Sequence, residues 1–289
     1  MFNRRILLQR AGILAPVWFA GRSLFAAPES NSGLIVHTRV PHNAEPPLNA
    51  LVQSWITPNE LFYVRSHAPV PSVDLGKFRL SVEGMVDKPF EISLEQLQSD
   101  FKTETVLATM TCAGNRRVEH SQIKEVSGVQ WQAGAIGNAE WAGARLSDLL
   151  KKAGLKEEAK HVWFESVDEI EHKGGIIPFG ASIPLGKAMS DTETMPGALA
   201  CYEMNGEPLA PDHGFPIRTV VPGYVGARSV KWLGKIIVSD RPSTNHYVAG
   251  AYKVVTEGTD DEWAAAPPIE TFEINSVTCN PAAASEVAA

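Results

Sequence analysis

Residues 103–117 read Thr-Glu-Thr-Val-Leu-Ala-Thr-Met-Thr-Cys-Ala-Gly-Asn-Arg-Arg, a β-rich run that empties into a glycine turn. A strand is predicted over 103–110, with Cys112 in the Gly/Asn turn at its end. Arg116 and Arg117 trail the cysteine. Two guanidinium groups stabilise a thiolate, and a thiolate is either a nucleophile or a ligand for a soft metal. Cys201 sits inside the apolar run 198–204 and fits an inert core thiol instead.

Working outward from this turn, short strands and a few short helices alternate. Residues 78–86 (FRLSVEGMV) show the apolar alternation of a half-buried strand. Ser93 precedes Leu94-Glu95-Gln96, a capping box for a short helix. Residues 147–154 predict a second helix, with Lys151 and Lys152 in its last turn and Gly154 beyond it. Strands are expected at 161–166, at 198–204 running into the hairpin pair Asn205-Gly206, at 217–221 and at 230–238. Residues 28–50, with Pro28, Pro41, Pro46 and Pro47, read as an extended lead-in. The fold class expected is α+β with a predominantly β core.

With 289 residues, 44% hydrophobic and 20% charged, the chain is long enough for one large domain plus appendages. Ordinary apolar content and a mean hydropathy of −0.09 exclude disorder, collagen and a polytopic membrane protein. The net charge of −7 argues against nucleic-acid binding through a basic surface. Three cysteines, without a Cys-x-x-Cys pair, make neither a disulfide scaffold nor a structural zinc site.

Residues 1–27 read as an export signal. Arg4-Arg5 precedes the apolar residues 11–20, a run too short to span a bilayer, in the twin-arginine pattern. Removing Arg4, Arg5, Arg10 and Arg22, with no acid, takes the net charge from −7 to −11. Periplasmic location follows as an expectation, without stable membrane insertion once the signal is gone. Twin-arginine export carries folded proteins, many loaded with a cofactor beforehand.

Other chemistry-bearing stretches are weaker. Gly180-Ala181-Ser182-Ile183-Pro184 misses the nucleophile elbow, because Pro184 replaces the glycine of its sharp turn. Asp212-His213-Gly214 reads as an oriented histidine or a structural turn. Residues 213–232 place Arg218, Arg228 and Lys231 among glycine turns in an otherwise acidic chain. Such a cluster suits a phosphorylated or otherwise anionic ligand, which arginine forks hold bidentately.

Over roughly residues 50–280 the chain resembles the sulfite oxidase family of molybdenum enzymes. The stretches that carry the resemblance are 62–67 (FYVRSH), 111–117 (TCAGNRR), 131–146 from Trp131 to AGARL, 202–209 (YEMNGEPL), the block 213–232, and 251–253 (AYK).

The resemblance implies a sulfite-oxidase-type molybdopterin-binding domain over 28–266. It also implies that 267–289 is the truncated start of a C-terminal immunoglobulin-like dimerisation domain. Its cofactors are molybdopterin and molybdenum, with Cys112 as the metal ligand. Arg65, His67, Asp168, His213, Arg218, Ser229 and Lys231 match positions that hold the pterin and its phosphate. Arg117, Trp131 and Tyr252 match the substrate pocket. The activity implied is oxidation of sulfite, a small sulfur oxyanion, to sulfate by oxygen-atom transfer. Electrons then pass to an external acceptor such as a c-type cytochrome. Two other readings compete: a periplasmic S-oxide or methionine-sulfoxide reductase, and a catalytically idle molybdopterin-binding fragment.

Overall fold

The computed structural model describes residues 33–192, 197–272 and 275–279. The export-signal segment and the Ala-rich end fall outside them. The long strand runs over Thr103–Thr111 and pairs antiparallel with Ile136–Arg145 along its whole length, from Thr103↔Ala144 to Thr111↔Ile136. Exposure falls along the strand, so its last residues, and Cys112 after them, arrive in the interior. Ile136–Arg145 pairs on its other side with Leu199–Met204, which also carries the short strands Glu207–Pro208 and Arg218–Val220. Gly143 permits this close pairing, since a Cβ there would lie 2.2 Å from the Ala200 carbonyl oxygen.

A second sheet has the order Gly180–Pro184, His161–Ser166, Leu233–Ser239, Leu80–Gly84, Phe90–Ile92. Leu233–Ser239 and Leu80–Gly84 are parallel and every other pair in it is antiparallel. The helix Leu146–Ala153 buries Leu146, Leu149, Leu150 and Ala153 against Leu80, Val82, Phe164 and Ile236. Each such leucine contributes about 1.5–3 kcal/mol of burial. Asp148 in its first turn and Lys151 and Lys152 in its last complement the helix dipole. A separate core around Phe62, Met110, Trp131, Trp141 and Cys201 underlies the first sheet next to Cys112. The molecule is thus an α+β protein with mixed sheets and short helices.

The capping box forms at Ser93 and Gln96, and Asn205-Gly206 turns the hairpin with φ of 52° and 77°. Ser182 lies inside the strand Gly180–Pro184, its Oγ accepting from the Ser243 N–H at 3.1 Å. It is no nucleophile.

Three expectations need correction. The lead-in is not merely extended: Ile35–Thr38 and Asn43–Glu45 build a three-stranded sheet with Val64–Arg65, and Leu48–Leu51 is helical. The strand expected from 230 starts at Leu233, because Trp232 adopts a left-handed φ of 51°. The β-like stretch from 274 shows no strand over 275–277, while Ile274 itself is outside the described residues. Backbone bonds Val225 N–H to Glu270 O (2.9 Å) and Ile269 N–H to Tyr252 O (2.7 Å) tie the segment after 267 to the preceding fold.

Candidate active site

Cys112 is set by the loop opposite it. Its N–H donates to Ala135 O at 2.9 Å, and the Gly114 N–H donates to its Sγ at 3.4 Å. Arg116 N–H and Val118 N–H donate to Gln132 O (2.7 Å) and Trp131 O (3.0 Å), stitching the cysteine turn to residues 129–136. That loop hangs in turn on Glu45. This fully buried carboxylate accepts from Gln132 N–H at 2.7 Å, from Gly134 N–H at 2.8 Å and from His37 at 2.6 Å.

Burial pushes the Cys112 thiol up. Arg65, the Gly114 N–H and Arg117 pull it down, and Glu45 adds to the rise. The two guanidiniums that act on the sulfur are therefore Arg65 and Arg117, not the expected Arg116–Arg117 pair. Arg116, with φ of 64°, pairs instead with Glu119 at 2.5 Å and reaches Asn275 and Ser276. Arg117 donates to Val129 O at 2.9 Å. Its slot is walled by glycines: a Cβ on Gly114 would come within 2.5 Å of the guanidinium and one on Gly128 within 2.8 Å.

Arg65, His67, Asp168 and Lys231 line one small cavity of about 30 Å³, with Phe179 beside them. The Lys231 ammonium donates to Ser66 Oγ and to Asp212 O, both at 2.8 Å. Burial, then Arg218, lowers Lys231 to about 7, so an anion placed beside it restores its charge. Asp168 Oδ1 accepts from Phe179 N–H at 2.7 Å, and burial raises its carboxyl. His67 stacks on Phe179 (centroids 4.9 Å), and its Nε2 lies 3.1 Å from the Tyr252 hydroxyl. Burial, with Arg65 and Lys231 next, holds His67 well below its usual range and hence neutral. The phenol of Tyr252 is pushed up by burial, against the pull of Arg65, Arg117 and Arg228.

The other expected residues form the layer behind. His213 Nε2 lies 3.0 Å from Asn59 O, and burial lowers its imidazole to about 4. Arg218 spends its donors on the carbonyls of His213, Thr219 and Ser229 and on the Met110 sulfur, with its guanidinium 4.9 Å over Trp141. Ser229 Oγ accepts from Val221 N–H at 3.0 Å. These three brace the pocket wall and are absent from the lining of the small cavity. Trp131 is fully buried, edge-on to His37 at 5.0 Å. Asp212 turns to His42 at 2.8 Å rather than orienting His213.

Sequence reasoning passed over Glu45 and Tyr247. Arg228, expected in the anion-binding cluster, is fully buried and donates to Ile269 O and Tyr247 O. Nothing in the proline-rich lead-in marks Glu45. Among the described residues, Arg65, Arg117, Arg218, Arg228 and Lys231 form no ion pair with a carboxylate. Arg218 and Arg228 are buried and the other three half-buried, and cations so shielded are costly without a counter-charge, so this cluster suits an anion.

Residues 67–247 match the family described as "Oxidoreductase molybdopterin binding domain". This chain belongs to the molybdopterin-binding oxidoreductases. Its relatives include sulfite oxidase of Gallus gallus, 43% identical over 260 residues covering 88% of this chain and 55% of that one. Sulfite oxidase of Arabidopsis thaliana is 40% identical over 264 residues, covering 88% and 66%. The crystal structure of the sulfane dehydrogenase SoxCD from Paracoccus pantotrophus superposes with a TM-score of 0.70 at 27% identity, covering 91% of this chain and 66% of that one. The chain thus spans about half to two thirds of the length of these relatives.

The family's cofactor is molybdopterin with molybdenum, and the site has the chemistry to hold it. A buried sulfur stands beside cations lacking carboxylate partners. Two buried N–H groups, Trp131 Nε1 and Arg228 Nη2, find no acceptor among the described residues. A thiolate suits a soft metal, and unpaired guanidinium and ammonium groups suit a phosphorylated pterin. The residues present thus fit the cofactor of the family to which the chain belongs.

Proposed function

We propose that the protein oxidises sulfite to sulfate and passes the electrons to an external acceptor. The observation that carries this reading is that Arg65 and Lys231, neither ion-paired with a carboxylate, line one small cavity, while Arg65 and Arg117 both act on the Cys112 sulfur. When bound, the molybdenum–pterin group supplies oxygen-atom transfer, so that sulfite and water yield sulfate, two protons and two electrons.

The chain's own residues do the rest. Cys112 offers the thiolate for the metal, and Arg65, His67, Asp168 and Lys231 hold the pterin side. Arg117 presents a guanidinium fork to the oxyanion, held in place by the Val129 carbonyl and its two glycine walls. Neutral His67 fixes the Tyr252 hydroxyl at 3.1 Å, keeping an uncharged O–H beside the oxyanion. Trp131, fully buried, walls the site from water. His213, Arg218 and Ser229 act as the rigid backing of this layer.

Residues 1–27 are read as a twin-arginine signal on the strength of Arg4-Arg5, which puts the mature protein in the periplasm. A catalytic domain then covers 28–266, and Ile269 and Glu270 just beyond it bond back to Tyr252 and Val225. Among the described residues no helix is long and apolar enough to cross a membrane. The S-oxide reductase reading draws no support from any particular feature, whereas the cation cluster favours an anionic substrate.

Metal analysis of the purified protein, followed by sulfite-dependent reduction of ferricyanide, tests the reading. The expected result is one molybdenum per chain and sulfite-dependent turnover. Molybdenum without sulfite turnover contradicts it.

A further inference from the structure

A second cavity, of about 520 Å³, lies beyond the cofactor pocket, between the hairpin Ile170–His172/Gly175–Ile177 and the helix His246–Ala249. A line of rings joins the two. His67, in the pocket, has its centroid 4.5 Å from Tyr247; Tyr247 is 5.1 Å from His246; His246 is 4.0 Å from His172, with planes 30° apart. Phe179 brackets the first step, 4.9 Å from His67 and 4.7 Å from Tyr247. Tyr247 is buried, while His246 and His172 are half-buried and line the cavity. Electron tunnelling weakens steeply across empty gaps, and rings in contact leave none between pocket and surface.

The cavity has the make-up of an interface centre. Trp163, anchored through its indole N–H to Arg241 O at 2.6 Å, stands with Ile177 and Pro178. Ile176 on the same hairpin is 60% exposed. Aromatic and aliphatic groups inside a polar edge are typical of docking sites. Glu165 and Lys173 line it, and Glu169 and Glu171 stand exposed on the hairpin segment. Glu165 and Lys173 cancel, so the exposed Glu169 and Glu171 leave the rim acidic, which suits a partner whose contact face is basic.

We propose that this cavity docks the one-electron acceptor, a c-type cytochrome presenting a haem edge within a basic rim, and that the ring line carries electrons to it. The inference rests on the sulfite-oxidation reading. Each sulfite and water give sulfate, two protons and two electrons, and each electron reduces one ferric haem to ferrous.

The holoenzyme is assayed with sulfite and two acceptors, ferricyanide and ferricytochrome c, and cytochrome binding is measured separately by calorimetry at low salt. In His172→Ala/His246→Ala, ferricytochrome c reduction is expected to fall at least about tenfold while ferricyanide turnover stays within about twofold. In Glu169→Lys/Glu171→Lys, cytochrome binding is expected to weaken at least about tenfold, with ferricyanide turnover again preserved. Unchanged cytochrome reduction and binding in both variants overturns the proposal. So does a wild-type protein that reduces ferricyanide but neither binds nor reduces ferricytochrome c. Loss of sulfite-dependent ferricyanide reduction in the wild type overturns the activity reading instead, and calorimetry on the charge variant then still decides the docking surface.

Discussion

Replacing Glu45 by alanine strikes the loop that positions the cysteine turn, although Glu45 touches neither Cys112 nor Arg117 through a hydrogen bond. The carboxylate takes two backbone N–H groups, Gln132 at 2.7 Å and Gly134 at 2.8 Å, and the His37 ring at 2.6 Å. Gly134 is buried, so its N–H loses its only described acceptor without reaching water. That orphaned donor costs about 1–3 kcal/mol, and the lost charge-assisted bond at Gln132 adds roughly 1–2 kcal/mol. The expected destabilisation of Glu45→Ala is about 2–5 kcal/mol, which lowers Tm by roughly 5–15 °C in a domain of this size. Glu45→Gln keeps one acceptor oxygen and should fall about halfway between. Urea denaturation measures both, with a common m-value confirming a two-state comparison. The loop's other bonds, to Cys112, Arg116 and Val118, should also loosen, so activity falls more than stability does. A Glu45→Ala protein within about 0.5 kcal/mol of wild type would refute the role of this carboxylate.

Two further outcomes follow from the same geometry. His213 is lowered to about 4 by burial, against about 6.5 in the unfolded chain, so the unfolded state binds its proton first. Its neutral form is harmless above that upper value, and stability should fall by about 3 kcal/mol as pH drops from there to 4. Urea titrations at both ends should show this slope flattened in His213→Gln; an identical slope in the variant contradicts the assignment. Gly128→Ala puts a Cβ 2.8 Å from the Arg117 guanidinium at a φ of 103°, where an L side chain is strained. Displacing Arg117 should raise the KM for sulfite roughly tenfold with a smaller change in kcat, and an unchanged KM counts against Arg117 as the oxyanion fork.

Local rules carried the reading wherever one residue's chemistry decides its own backbone. Ser93 with Gln96 starts a helix, Asn205-Gly206 turns a hairpin, and Lys151, Lys152 and Gly154 close a helix without help from distant parts. Trp232 shows the opposite case. Its side chain reads as strand, but its indole N–H must reach Pro211 O at 2.8 Å and its backbone turns left-handed, so the strand expected from 230 starts only at Leu233. The cysteine turn was legible, and the resemblance named most of the pocket. The electrostatic partner of the sulfur was not. Arg65 lies 47 positions upstream of Cys112 and reaches it only through a three-stranded sheet formed by a proline-rich lead-in. Arg116, the neighbour in sequence, turns away to Glu119. Glu45 stayed hidden for the same reason: the loop N–H groups it accepts from, on Gln132 and Gly134, are more than 80 residues distant.

The central claim is that the Cys112 sulfur is the protein's own ligand to molybdenum in this pocket. X-ray absorption at the molybdenum edge, recorded on purified wild type and on Cys112→Ser, tests it most directly. The variant is expected to fold and still carry molybdenum, to show one metal–sulfur contact fewer than wild type, and to lose sulfite oxidation. An unchanged sulfur count with full sulfite turnover in Cys112→Ser would contradict it.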